Sequence, residues 1–151
     1  MDLSKLKWVI IAAVVIGGGW LVTEGGINWV YNNATKSTAG ADAERDATDE
    51  SALSRYGGFL LTTFRYEKAK NFYQTAIDRY PEGANMWWNY YQMARCEEKL
   101  GNYQRAADIL QMLWTENADQ YDERVPDMAT LKLRLDKIVE VNQLEPYGSR
   151  Y

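Results

Sequence analysis

Hydrophobic and polar positions divide this chain into three regimes. Trp8 to Thr23 is an uncharged, largely apolar run of sixteen residues. From Asn32 to Asp49 there is no aromatic and no large aliphatic side chain. Beyond residue 50, apolar residues recur at helical spacing with short breaks between the stretches. The first regime predicts a helix in lipid, the second a linker whose alanines could let part of it become helical on contact, and the third an array of amphipathic helices.

The N-terminal run falls short of the ~20 residues that cross a hydrocarbon core. Leu3 and Leu6 extend it between lysines that can snorkel, and Trp8 and Trp20 suit the interfacial zones. Lys5 and Lys7 ahead of an apolar run are also the format of a cleaved signal peptide. However, the first Ala-x-Ala pattern with a polar follow-on, Ala39-Gly40-Ala41, lies far beyond the run, and no lipoprotein cysteine occurs. The expectation is therefore an uncleaved signal anchor, a single transmembrane helix and flank over residues 1–31. The next basic residue after the two lysines is Lys36. The positive-inside rule then puts the N-terminus in the cytoplasm and the remainder across the membrane, which at a bacterial inner membrane is the periplasm. Ala13 and Gly17 form a small-xxx-small pair at which a partner helix can approach closely, although glycine is also simply common in membrane helices.

Two later segments align with each other: LSRYGGFLLTTFRYEKAKNFYQTAIDRYP (53–81) and YYQMARCEEKLGNYQRAADILQMLW (90–114). Tyr66 and Tyr103 occupy equivalent places at an offset of 37 residues, close to the length of a two-helix repeat. Leu53, Tyr56, Gly57 and Leu60 mark the first helix of the first unit, and Tyr66, Ala69, Tyr73 and Ala76 the second, with Pro81 closing it. Tyr90, Met93 and Ala94, a break at Gly101, then Tyr103, Ala106, Leu110 and Leu113 repeat the scheme. Small residues at Gly57, Ala69, Ala94 and Ala106 predict points where paired helices approach closely.

On these residues the sequence resembles the tetratricopeptide repeat family over about residues 50–120. Phe64 stands at the turn where the family usually has glycine, and Glu97 where it places an aromatic. No proline follows the second unit, and Glu82-Gly83-Ala84 lengthens the first connection. Farther on, Met128, Leu131, Leu135 and Ile138 share one face of a helix that Pro126 and Asp127 begin and Asn142 ends. Such a helix would cap the exposed flank of the second hairpin. The expected fold is all-α. It consists of the transmembrane helix (1–31), a polar linker (32–49), two tetratricopeptide-like hairpins (50–121), a capping helix (122–144) and a tail (145–151).

Composition narrows the function. The chain has no histidine and one cysteine, Cys96, which removes Ser/His/Asp triads, Cys/His nucleophiles and Cys/His zinc sites. No glycine-rich phosphate loop is present, so no catalytic, cofactor or metal site is expected. Lys and Arg number 17 against 21 Asp and Glu, a net charge of −4 without a basic stripe. Nucleic acid is therefore not an expected partner. The paired acids Glu97-Glu98 and Asp122-Glu123 point apart on a helix and predict solvated faces.

Residues 87–91, WWNYY, hold four large aromatics in five positions. At 100° per residue, Tyr90 joins Met93 and Ala94 toward its own hairpin, and Asn89 falls outside the apolar arc. Trp88 and Tyr91 turn away beside Arg95 and Glu98. The family resemblance implies that Trp88, Tyr91, Arg95 and Glu98 line a concave protein-binding groove. The competing expectation is that the capping helix or a neighbouring subunit covers those rings.

Together these features predict a non-catalytic, membrane-anchored adaptor or accessory subunit. Its partners would be an integral-membrane complex or copies of itself, with lipid around the N-terminal helix. The alternative is a peptide-binding receptor that uses the aromatic groove. The small mitochondrial import receptor shares that anchor-then-repeat layout, with its repeat domain in the cytosol.

Overall fold

The computed structural model describes residues 3–145, so Met1, Asp2 and residues 146–151, most of the expected tail, lie outside the described residues. The chain forms two compact units, one ending at Lys36 and the other beginning at Ser37.

The first unit holds α1 (Leu3–Leu21) and α2 (Glu24–Ala34). The expectation is a single transmembrane helix and flank over residues 1–31; the structure ends the first helix at Leu21 and turns the chain by 76° into a second helix. The reason is local. The Thr23 N–H and hydroxyl both donate to the Trp20 carbonyl, at 2.9 and 2.6 Å, which closes the end of α1. Thr23 is itself extended, and its Oγ1 accepts the Gly26 N–H at 3.4 Å, which starts α2. Among the described residues no single helix is long and apolar enough to cross a membrane, but this bent pair meets that test together. Along α1, Val9, Ile10, Ile11, Val14, Val15 and Ile16 are all exposed, so its apolar surface runs around the whole helix.

The second unit contains α3 (Ala43–Thr62), α4 (Tyr66–Arg79), α5 (Met86–Lys99), α6 (Tyr103–Thr115), a 3₁₀ turn (Ala118–Gln120) and α7 (Met128–Val141). Each helix packs chiefly on its neighbours in sequence, which gives two hairpins and a final helix against α6. The composition of residues 32–49 predicts a linker, but α3 starts within that stretch. Asp42 is extended, and its carboxylate accepts the N–H groups of Glu44 and Arg45 at 2.9 and 3.2 Å. The polar residues there find partners instead of water. Asp49 is buried and accepts from Ser37 Oγ and from Arg45, while Arg79 donates to the Ser37 carbonyl at 2.5 Å.

Small residues set the helix spacing. Ala69, Ala76, Ala94 and Ala106 are buried, as are the large core side chains Leu53, Leu60, Phe72, Leu110 and Leu113. Gly57 allows the closest approach: a Cβ there would lie 2.9 Å from the Tyr73 ring, which is fully buried. On α7, Leu131, Leu135 and Ile138 are buried, and Asp127 caps the helix by accepting the Thr130 N–H at 2.9 Å.

Three helix ends share one geometry. Phe64, Gly101 and Gln143 have φ of 63°, 80° and 52°, and the residue after each donates to the carbonyl five positions back. Those bonds are Arg65 to Leu60, Asn102 to Glu97 and Leu144 to Val139, at 2.9, 2.9 and 3.0 Å. This is the Schellman ending, which favours glycine because the left-handed backbone crowds a Cβ. The first hairpin places an exposed phenylalanine at that position.

Candidate functional site

Helix α5 carries the candidate residues, and its first turn is held from outside. Asn85, the residue before the helix, makes no side-chain cap of its own. Glu50, reaching from α3, accepts the Asn85 N–H at 2.8 Å. Gly83 is what admits this carboxylate, since a Cβ at that residue would overlap it. From the other side Arg124 donates to Asn85 Oδ1 at 2.9 Å and binds Asp122 at 2.6 Å. Burial pushes the Asp122 carboxyl up, but the Arg124 hydrogen bonds and charge, with a bond from the Trp88 backbone, outweigh it and hold the carboxyl below its ordinary value. Two carboxylates thus sit at the positive end of the α5 dipole.

The outward face of α5 meets arginines from the C-terminal segment. Arg124 lies 5.6 Å from the Trp88 ring centre, and Arg134 lies 5.5 Å from that of Tyr91. Arg134 also donates to the Tyr91 hydroxyl at 2.8 Å and to Glu98 at 2.5 Å. Arg95 turns along its own helix to Gln92, at 2.8 Å. The rings of Trp88 and Tyr91 are 5.8 Å apart, and Trp87 stacks on Tyr121 at 5.7 Å. Three of the four predicted groove residues therefore contact the segment around α7, and all four are half-buried. An open cleft of about 320 Å³ remains beside them, lined by Glu98, Tyr103, Arg134 and the last turns of α7.

Helical repeats of this spacing carry a family signature. The tetratricopeptide repeat family matches residues 60–135, half of the chain. The chain belongs to the tetratricopeptide repeat family. No curated protein and no solved structure matches it. Tetratricopeptide repeats are protein-interaction modules and generally non-catalytic. In this tetratricopeptide repeat protein, the elements that cover the outward face of α5 come from its own C-terminal segment.

Three polar residues depart from their predicted positions. Asn89 is fully buried, not outside the arc, because Ser54 on α3 donates to its Oδ1 at 2.6 Å. Glu97 is buried, not solvated. It accepts from Asn102 at 2.6 Å and pairs with Arg105 at 3.0 Å and Lys70 at 3.7 Å, joining α4, α5 and the start of α6. Asp122, the other acid assigned to a solvated face, is buried against Arg124. Cys96 is buried, and desolvation pushes its thiol up to about 12, which leaves it unreactive near neutral pH.

Ala13 and Gly17 lie in α1 and both are exposed, and a Cβ at Gly17 would meet no atom. The residues that sequence reasoning missed are Glu50, Arg124 and Arg134. Each acts on α5 from a distant part of the chain, and single-sequence periodicity carries no signal for that.

Proposed function

We propose that this tetratricopeptide repeat protein is a non-catalytic adaptor or accessory subunit, anchored in a membrane by its first helix. Its repeat helices would hold another protein beside an integral-membrane complex, on the periplasmic side. One observation carries the reading: a single chain joins an α1 that is apolar and exposed all round to the helices of a protein-interaction family. An exposed apolar surface of that extent is stable only against lipid or another protein. The lysines at its start orient it by the positive-inside rule. Ala13 and Gly17 give a partner helix a place to approach. Tethering adds to the effect, because confinement raises the effective concentration of a weak binder without any new contact.

The peptide-receptor reading has less support. A peptide in the Trp88–Tyr91 groove would have to displace Arg124 and Arg134 from the ring faces. Purification in mild detergent followed by native mass measurement tests the proposal. A stable assembly with an integral-membrane protein is expected. A lone monomer would sink the subunit role and favour the receptor.

A further inference from the structure

The elbow between α1 and α2 has a geometry that fits one surroundings in particular. Helix α2 leaves α1 at 76°, so it runs nearly perpendicular to it. The fold draws the two helices close at the corner. A Cβ on Gly26 would stand 2.8 Å from the Leu21 Cα, and still nearer the Trp20 carbonyl, so only glycine permits this crossing. These are backbone atoms, which cannot swing aside as a flexible side chain would. The corner brings Trp20, in the last turn of α1, beside Trp29 of α2, with ring centres 6.1 Å apart. Both rings remain open, Trp20 at 46% exposure and Trp29 at 58%.

Two neighbouring, half-open indoles at the end of an apolar helix match the headgroup zone of a bilayer. There the ring body is in apolar surroundings while the N–H reaches water or headgroup oxygens. We propose that α2 lies along the membrane surface at the exit of α1, with Trp20 and Trp29 side by side at headgroup depth. This rests on the anchor reading above, and it adds a second lipid contact. Asn28 and Asn32 are exposed on α2, and Asn33 donates back to the Trp29 carbonyl, so uncharged amides flank Trp29 along the helix. The only charge on α2 is Glu24, so attraction to anionic lipid has no footing. The surface it fits is a zwitterionic one. The contact also suits the shortness of α1, since interfacial anchoring is one way a short apolar helix is accommodated.

The test uses the full chain with Cys96→Ala, reconstituted in phosphatidylcholine vesicles. One variant carries Val14→Cys and another Asn32→Cys, each labelled with an environment-sensitive fluorophore. Nitroxide lipids quench from the bilayer centre or from just below the headgroups, and iodide quenches from water. The proposal expects the label at 14 to respond to the deep nitroxide and the label at 32 to the shallow one. Adding phosphatidylglycerol should leave that pattern unchanged. Gly26→Val should open the elbow, removing the shallow quenching at 32 while the response at 14 persists. A label at 32 that answers only to iodide, with 14 still quenched from the centre, overturns the surface helix and leaves the anchor standing. Loss of lipid quenching at both positions overturns the anchor as well. Persistence of shallow quenching at 32 in Gly26→Val would contradict the elbow as its cause.

Discussion

The Arg134 guanidinium lies 5.5 Å from the centre of the Tyr91 ring and reaches the Tyr91 hydroxyl at 2.8 Å. The same side chain binds Glu98, so α7 closes one flank of α5 through a single cation. All of these groups are partly exposed, so solvent screens the pair and its worth is modest. Arg134→Ala should lower stability by about 1 kcal/mol, from the combined loss of a partly exposed ion pair and a cation–π contact. Chemical denaturation followed by circular dichroism measures it. Arg134→Lys should recover only part, because an ammonium cannot fork to both partners.

Phe64 and Gly101 stand 37 residues apart at the same left-handed turn. Only one of them is suited to it. Phe64→Gly should therefore stabilise the protein by about 1 kcal/mol, the strain of a left-handed non-glycine residue less the added entropy of the unfolded chain. Gly101→Ala should cost a similar amount. Equal and opposite shifts in the urea midpoint, with unchanged slope, are the expected result.

Glu97 compensates two cations from different helices. Replacing it with alanine leaves Lys70 paired with Glu67 alone, at 3.0 Å, and removes the acceptor of Asn102. A loss of about 2–4 kcal/mol is expected, at the lower side of buried-pair values because Arg105 is largely exposed and free to rehydrate. Glu97→Gln should lose less, since its amide oxygen still accepts from Asn102. Urea melts of the two variants distinguish these outcomes.

Acid should weaken the fold through Asp122. Its carboxyl titrates below the ordinary 3.8, so the folded state binds a proton less readily than the unfolded one. The stabilisation is fully present above that ordinary value and is lost as pH falls through the depressed one. Asp127, which caps α7, shifts in the same direction. Between about pH 4 and pH 2, Asp122→Asn should show a shallower fall in stability than the parent chain. An identical slope would mean the Arg124 pairing contributes nothing to folding.

Much of the repeat region was legible because its information is local. The Tyr66–Tyr103 register, the small residues at Gly57 and Ala94 and the stripe Leu131–Leu135–Ile138 are periodic, and periodicity survives in a single sequence. Some missed features also had local signals. Asp42 before Ala43-Glu44 is a capping pattern inside a stretch whose composition predicts a linker, and Thr23 ahead of Gly25-Gly26 marks the elbow. Asn89 and Glu97 were not legible, because residue type argues for the surface. Their burial depends on Ser54, Asn102 and Arg105, which reach them from other helices. The cover over Trp88 and Tyr91 depends likewise on arginines far along the chain.

The proposed anchoring through α1 would hold the repeat helices at a membrane, on its periplasmic side. The decisive measurement is protease digestion of intact cells, spheroplasts and inverted membrane vesicles, with the membranes then washed in alkaline carbonate. The repeat region should be protected in intact cells and in inverted vesicles, cut in spheroplasts, and retained with the membrane after the wash. Cleavage in inverted vesicles, or release by carbonate, would contradict it.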